Sequence, residues 1–257
     1  MSVEQKWPDQ IWVVRHGQSA ANVARDVAEA DDRSVIGITA RDADVPLSDL
    51  GKRQAAALGC WFGQMPAEER PSVVLASPFV RAHDTADGII EAAGLDRNEL
   101  AFVVDERLRE KEFGILEGLT KRGIREKLPE EHARREIWGK FYYRPPGGES
   151  WADVILRLRM LLETITREYR RERVLIVCHS VVVQCFRYLF ERMSEKQILE
   201  IDRAIDVANC SVTSYRFDPA CGKHGKLVRD LTYFVAPLDA AGAEVTTAPD
   251  GLLALNK

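Results

Sequence analysis

The chain of 257 residues lacks the features that mark several large classes of protein. Its five cysteines are scattered along the chain. Their odd number argues against a disulfide framework, and the lack of a CxxC pair argues against a zinc site. No stretch stays uncharged long enough to cross a membrane, and residues 1–10 lack the apolar core of a signal peptide. We therefore expect reduced thiols, a cytoplasmic location and no membrane partner.

An excess of one charge is also missing. The formal net charge is −4, which argues against a broadly basic, nucleic-acid-binding surface. Charged residues still make up 30% of the chain, enough for a local basic pocket. A small anionic substrate therefore fits the composition better than DNA or RNA.

Short apolar runs alternate with helical patterns along the chain. The runs predict strands at residues 11–14, 72–76, 102–104 and 174–178. Amphipathic spacing predicts helices over residues 48–65 and 150–169, and two more that start near Phe79 and Val181. A late pair of strands is expected at residues 211–217 and 227–235. This alternation predicts a three-layer α/β/α fold, with a mostly parallel central sheet and an antiparallel edge strand.

Two segments interrupt this scheme. Residues 23–45 have little periodicity and predict a long loop or a short helical insertion, whereas residues 120–146 predict a helical excursion that returns through a Gly/Pro-rich turn. Both could cover a site. We expect a single domain over residues 1–236, followed by a tail over residues 237–257 that is partly disordered.

Chemically active side chains follow the first strand. Arg15, His16 and Gly17 come directly after the apolar run, and Asn22 lies a few residues further on. In an open α/β sheet, ligands bind at the carboxyl ends of the strands. An arginine can grip a phosphate with two hydrogen bonds, and a histidine can attack phosphorus. The junction therefore predicts a phosphate site.

Three further strand ends repeat this pattern. Arg81 is expected in the first turn of the helix after the second strand, where the free N–H groups favour anions. His179, followed by Ser180, ends the fourth strand. The loop after the third strand offers a carboxylate as proton donor, and spacing alone does not choose among Glu110, Glu112 and Glu117. Phosphoryl transfer needs this combination of nucleophile, cations and proton donor.

From residue 11 to about residue 217, the sequence resembles the histidine phosphatase superfamily, the phosphoglycerate mutase-like proteins. The resemblance rests on the combination of VVRHGQSAAN, PLSDLGKRQA, ASPFVRAHDTA, LREKEFGILEG, PGGESWADV and VLIVCHS. It implies that His16 is transiently phosphorylated and that Glu110 is the general acid. It also implies a phosphoryl pocket formed by Arg15, Asn22, Arg81 and His179.

The sequence departs from the family pattern in two places. Ser180 stands where family members commonly carry glycine, although we still count it among the phosphate-binding positions. The segment over residues 23–45 is longer than in compact relatives, and the residues before Pro46 do not reproduce the substrate-contacting stretch of the mutases. The substrate of a relative therefore does not carry over to this chain.

The resemblance favours a phosphomonoesterase that acts on a small phosphorylated metabolite through a phosphohistidine, with no metal and no cofactor. One alternative is a phosphoglycerate mutase, for which Arg134, Arg135 and Arg144 could bind the substrate carboxylate. A second alternative is a catalytically idle relative that binds phosphorylated ligands or protein partners. The edge of the late strand pair could also support a homodimer.

Overall fold

A six-stranded mixed sheet forms the centre of the molecule. The computed structural model describes residues 5–248. The strands are β1 (Gln10–Arg15), β2 (Val73–Ala76), β3 (Ala101–Val104), β4 (Arg173–Cys178), β5 (Val212–Asp218) and β6 (Lys226–Arg229). Their spatial order is β3-β2-β4-β1-β5-β6. The first four are parallel to one another, β5 is antiparallel to β1, and β6 is antiparallel to β5.

Helices cover both faces of this sheet and its carboxyl edge. They are α1 (Ala20–Ala30), α2 (Asp49–Gly63), α3 (Val80–Ala93), α4 (Lys121–Lys127), α5 (Pro129–Tyr142), α6 (Trp151–Glu168), α7 (Ser180–Phe190), α8 (Glu195–Ala204) and α9 (Ala236–Ala240). Helix α5 is kinked at Gly139, which has a φ of 72°. The predicted α/β fold with an antiparallel edge is confirmed.

Alternation along the buried strands separates two hydrophobic cores. In β1, Ile11 and Val13 face the core built with α6 and α7, whereas Trp12 and Val14 face the core built with α2 and α3. The same alternation holds in β4. Because successive side chains of a strand point to opposite faces, continuous apolar runs are what a sheet covered on both sides requires.

Several helix boundaries follow from local sequence. Ser48 caps α2 by accepting a hydrogen bond from the Gly51 N–H, and Ser150 forms a capping box with Asp153 at the start of α6.

The two segments that interrupt the α/β pattern contain helices. The segment over residues 23–45 contains most of α1 and a 3₁₀ turn at Asp42–Asp44. The segment over residues 120–146 contains α4 and α5.

The C-terminal segment packs on the domain as far as it is described. Helix α9 packs against α2 and places Leu238 wholly inside the core. The expected tail over residues 237–257 therefore includes a packed portion up to residue 248, and residues 249–257 lie outside the described residues. Within residues 5–248, no helix has both the length and the apolar character needed to cross a membrane.

Candidate active site

The carboxyl ends of three adjacent strands converge on one buried cluster. Arg15 is the last residue of β1 and His16 follows it, while His179 follows β4. Arg81 lies in the first turn of α3, after β2. These four polar side chains are almost completely buried. Because β4 lies between β1 and β2 in the sheet, residues far apart in sequence become neighbours, such as His16 and Arg81, which are 65 positions apart.

Two contacts orient the imidazole of His16. Its Nδ1 lies 2.6 Å from the carbonyl oxygen of Gly17. A carbonyl oxygen can only accept a hydrogen bond, so we assign the proton to Nδ1. The Nε–H of Arg81 then donates to His16 Nε2 at 3.2 Å. Both contacts agree on a neutral ring whose lone pair is on Nε2 and points toward a guanidinium.

His179 forms the opposite side of the cluster. Its ring centroid lies 5.1 Å from that of His16, and its Nε2 lies 2.8 Å from Ser77 Oγ. The ring also meets Phe79 edge-on, with centroids 5.2 Å apart. Ser180 is the first residue of α7 and is buried. The N-terminus of an 11-residue helix therefore begins at this cluster and adds positive potential there.

Arg15 and Asn22 share a backbone partner in the C-terminal segment. Arg15 donates to the carbonyl oxygen of Val207 at 2.6 Å and also to that of Ala248. Asn22 Nδ2 donates to the same Ala248 oxygen at 3.1 Å. Asn22 also occupies the N3 position of α1, where it forms a capping box with the N-cap residue Ser19. The last described residue of the chain thus reaches the phosphate-site residues predicted at its start.

Asn209 links the C-terminal segment to His16. Its Nδ2 donates to the His16 carbonyl oxygen at 3.0 Å, and its Oδ1 accepts from Thr246 Oγ1 at 2.9 Å. Its backbone N–H donates to the Thr246 carbonyl oxygen at 2.8 Å. Asn209 is fully buried, and its bond to the His16 carbonyl oxygen is made away from water. The sequence analysis missed this residue, whose only signal is an amide beside an apolar strand.

Glu110 lies in the loop after β3 and is only 1% exposed. Its Oε1 accepts a hydrogen bond from the Lys111 N–H at 2.7 Å. Arg157, from α6, donates to the Glu110 carbonyl oxygen at 3.2 Å and pairs with Glu149 at 3.0 Å. Glu149 in turn accepts from the Glu112 N–H at 3.1 Å. The Glu110 loop is therefore held by a charged network that includes the PGGES segment.

Two glycines allow the RHG segment and the PLSDLG segment to lie in direct contact. A Cβ on Gly17 would lie 2.5 Å from the Gly51 carbonyl oxygen, and one on Gly51 would lie 2.0 Å from the Gln18 carbonyl oxygen. Real side chains do not tolerate such distances, so both positions must be glycine for α2 to touch the loop. The small size of Gly17 therefore permits its contact with α2.

Asp42 binds the guanidinium group of Arg81. The Asp42 carboxylate lies 3.0 Å from Arg81 Nη2, and the Asp42 carbonyl oxygen accepts from Nη1 at 2.6 Å. Arg81 is 1% exposed, whereas the Asp42 side chain is 29% exposed. A carboxylate held on a buried guanidinium takes the place that a phosphate oxygen would take. Sequence reasoning missed Asp42, because the contact joins two segments 39 positions apart.

We expect Asp42→Ala to tighten binding of inorganic phosphate by about threefold to tenfold, because it removes an intramolecular competitor for Arg81. Isothermal titration calorimetry with phosphate measures the effect. Asp44→Ala is the matched control, since Asp44 lies two residues away and pairs with the exposed Arg41. Equal or weaker phosphate binding by Asp42→Ala would show that Asp42 does not compete.

The sequence profile of the histidine phosphatase superfamily (branch 1) matches residues 11–228. The chain belongs to this superfamily. A curated relative, 2,3-bisphosphoglycerate-dependent phosphoglycerate mutase 2 of Gloeobacter violaceus, is 33% identical over 203 residues, covering 76% of this chain and 83% of the relative. The human 6-phosphofructo-2-kinase/fructose-2,6-bisphosphatase 3 is 30% identical over 190 residues, covering 74% of this chain and 31% of that protein.

Solved structures of other proteins share the fold. Bacillus stearothermophilus YhfR is 24% identical, with a TM-score of 0.65 over 87% of this chain and 98% of that chain. A mycobacterial glucosyl-3-phosphoglycerate phosphatase, solved with inorganic phosphate, is 24% identical, with a TM-score of 0.65 over 89% of this chain and 99% of that chain. These structures confirm the fold, and the profile match confirms the resemblance to the histidine phosphatase superfamily.

A buried cationic group lies next to Glu110 in this member of the superfamily. Burial, together with the nearby charge of Arg135, lowers the pKa of Lys111 to about 8. Burial also lowers the pKa of Arg135. The Lys111 ammonium lies 4.3 Å from the centroid of the Phe113 ring. The loop that carries Glu110 is therefore flanked by positive charge.

A separate group on α3 has the composition of a metal site. Among the described residues, His83, Asp84 and Asp87 bring one potential ligand atom each within 4.8 Å of one another. Asp87 already pairs with His83 at 3.3 Å and with Arg97 at 2.5 Å. The group lies partly exposed and has internal partners, so we assign no metal to it.

Proposed function

We propose that this protein is a phosphomonoesterase that works through a phosphohistidine on His16. The observation that carries the proposal is the orientation of the ring: the Nδ1–H donates to the Gly17 carbonyl oxygen, so the lone pair is on Nε2, beside Arg81. Attack on phosphorus requires such a lone pair, and an anion that Arg81 binds in place of this hydrogen bond would bring a phosphoryl group next to Nε2.

The reaction proceeds in two steps. First, His16 Nε2 forms a bond to phosphorus while the bond from phosphorus to the ester oxygen breaks, and Glu110 gives its proton to the leaving oxygen. Second, water attacks the phosphohistidine, Glu110 takes the proton of that water, and the P–N bond breaks to release phosphate. Arg15, Arg81 and His179 compensate the charge on the non-reacting oxygens, with Asn22 and Ser180 lining the same pocket.

The ion pairs of the arginines in the segment over residues 120–146 favour phosphatase activity over mutase activity. A mutase needs free cations for the carboxylate of its second substrate, in a closed site. Arg134 pairs with Glu131 at 2.8 Å, and Arg144 pairs with Asp153. Two of the three arginines predicted for that role are thus held by carboxylates. The mutase remains the second candidate, because a curated relative at 33% identity has that name.

A phosphate-release screen over a broad panel of phosphomonoesters, run in excess EDTA, tests the proposal. We expect release that His16→Ala abolishes and that EDTA leaves intact, since arginines supply the charge compensation that a metal would otherwise give. The same protein is incubated with 3-phosphoglycerate in a coupled assay. Equilibration with 2-phosphoglycerate without phosphate release would establish the mutase, and no turnover with any ester would favour the idle relative.

The cytoplasmic location and the homodimer stay predictions. For the homodimer we propose the β6 edge, because β6 is the last strand of the sheet and has a partner strand on one side.

A further inference from the structure

A cavity of about 300 Å³ adjoins the proposed phosphate site. Asp42 connects the two, because it lines the cavity and also binds Arg81. The cavity lies between α1, the segment after α1, and the loop that follows Glu110. Its volume is at the lower end of what small-ligand sites have. The part of a substrate beyond its phosphoryl group would therefore enter this cavity.

The wall of the cavity is fixed by bonds between two distant segments. The Ile36 N–H donates to the Gly118 carbonyl oxygen at 2.9 Å, and the Thr120 N–H donates to that of Ser34 at 3.2 Å. Thr120 Oγ1 donates to the Arg33 carbonyl oxygen at 2.6 Å. The segment after α1 is thus tied to the loop opposite it, and the cavity has a defined shape before any ligand arrives.

Apolar side chains form part of the lining, beside charged groups. They include those of Ile36, Ile38, Val45 and Phe113. Contact with these groups stabilises apolar surface on a ligand, at roughly 25 cal/mol for each Å² removed from water.

The charged groups of the cavity disfavour a second anion. Among its described lining residues, Arg25 is the one cation, whereas Asp42 and Glu117 are carboxylates. Burial and the charge of Asp42 both raise the pKa of Glu117, which means that negative charge is already crowded at this wall. When a phosphoryl dianion takes Arg81, the Asp42 carboxylate loses its partner and adds to that crowding.

We propose that the cavity selects phosphomonoesters whose alcohol part is uncharged or cationic rather than anionic. This inference rests on the proposed function. It separates this chain from relatives named for phosphoglycerates or fructose 2,6-bisphosphate, in which the rest of the substrate carries a carboxylate or a second phosphoryl group.

Matched esters test the proposal directly. Benzyl phosphate, 4-carboxybenzyl phosphate and 4-(aminomethyl)benzyl phosphate have nearly the same leaving oxygen and differ in the charge at the far end. We expect kcat/KM for the uncharged and cationic esters to exceed that for the carboxylated ester by at least about tenfold, because the added carboxylate meets Asp42 and Glu117. Equal or preferred hydrolysis of the carboxylated ester would overturn the proposal.

Two variants assign the selection to the cavity. Glu117→Gln should reduce the preference for the uncharged over the carboxylated ester by about fivefold, and Ile38→Lys should reduce it further by adding a cation. Glu91→Gln, an exposed carboxylate of α3, is the control and should leave the preference unchanged. An unchanged preference in both cavity variants would show that selection arises elsewhere and would overturn the assignment.

Binding measurements separate this inference from the proposed function. Benzylphosphonate and 4-carboxybenzylphosphonate cannot be hydrolysed, and calorimetry should give a dissociation constant at least about tenfold lower for the first. That order without hydrolysis of any ester would support the cavity and refute the phosphatase. Hydrolysis with the opposite order of affinities would refute the cavity alone.

Discussion

Replacing His16 with alanine should lower kcat for phosphate release by about 10⁴-fold or more, because no other group then forms the covalent intermediate. His16 is buried beside Arg81, whose Nε–H points at the Nε2 that would attack. Rapid quenching of the wild-type protein with a ³²P-labelled ester should trap an acid-labile, base-stable label, as a phosphohistidine requires. His16→Ala should show no label.

A matched histidine controls for nonspecific effects. His224 is exposed in the turn between β5 and β6, so His224→Ala should keep both the label and the turnover of the wild type. Folding of His16→Ala is checked by its thermal unfolding midpoint and by its binding of phosphate. A folded His16→Ala protein that still hydrolyses esters at the wild-type rate would rule out the phosphohistidine.

Glu110→Gln should lower kcat by about 10²-fold to 10⁴-fold for esters of simple alcohols, because glutamine cannot protonate the leaving oxygen. With 4-nitrophenyl phosphate the first step should be much less affected, since 4-nitrophenolate leaves without a proton. The second step still needs a base. We therefore expect a burst of nitrophenolate equal to the enzyme concentration, followed by slow turnover.

The two neighbouring glutamates provide the controls for this assignment. Glu112 is half-exposed and lies 3.7 Å from Arg109, so Glu112→Gln should keep kcat near the wild-type value and give no burst. Glu117 lines the cavity, and Glu117→Gln should change the choice of ester more than the rate of proton transfer. Loss of the burst in Glu110→Gln, with its appearance in Glu112→Gln or Glu117→Gln, would transfer the acid role to that residue.

The strand-end residues could be predicted from sequence for a simple geometric reason. A continuous apolar run predicts a strand buried on both faces, and parallel strands bring their carboxyl ends to one edge. Polar residues that follow such runs therefore meet, as Arg15, His16 and His179 do. Arg81 is predictable in the same way, because its distance from the end of β2 places it in the first turn of α3.

Contacts between distant segments could not be predicted in this way. The bond between Asp42 and Arg81 depends on how the segment after α1 returns across the sheet edge. The bonds of Asn209 to His16 and Thr246 depend on where β5 and the C-terminal segment pack. No periodicity specifies such pairings, because they arise from the packing of whole elements.

The sequence by itself determined the layered α/β fold, the superfamily and which polar residues meet at the strand ends, since apolar periodicity and short motifs are local properties. The family resemblance pointed to Glu110, but only the tertiary structure showed how the surroundings of the three candidate glutamates differ. It buried Glu110 in the network of Arg157, left Glu112 half-exposed, and placed Glu117 in the cavity beside Asp42. Burial and neighbouring charge decide the role of a carboxylate, and both depend on residues that are remote in sequence.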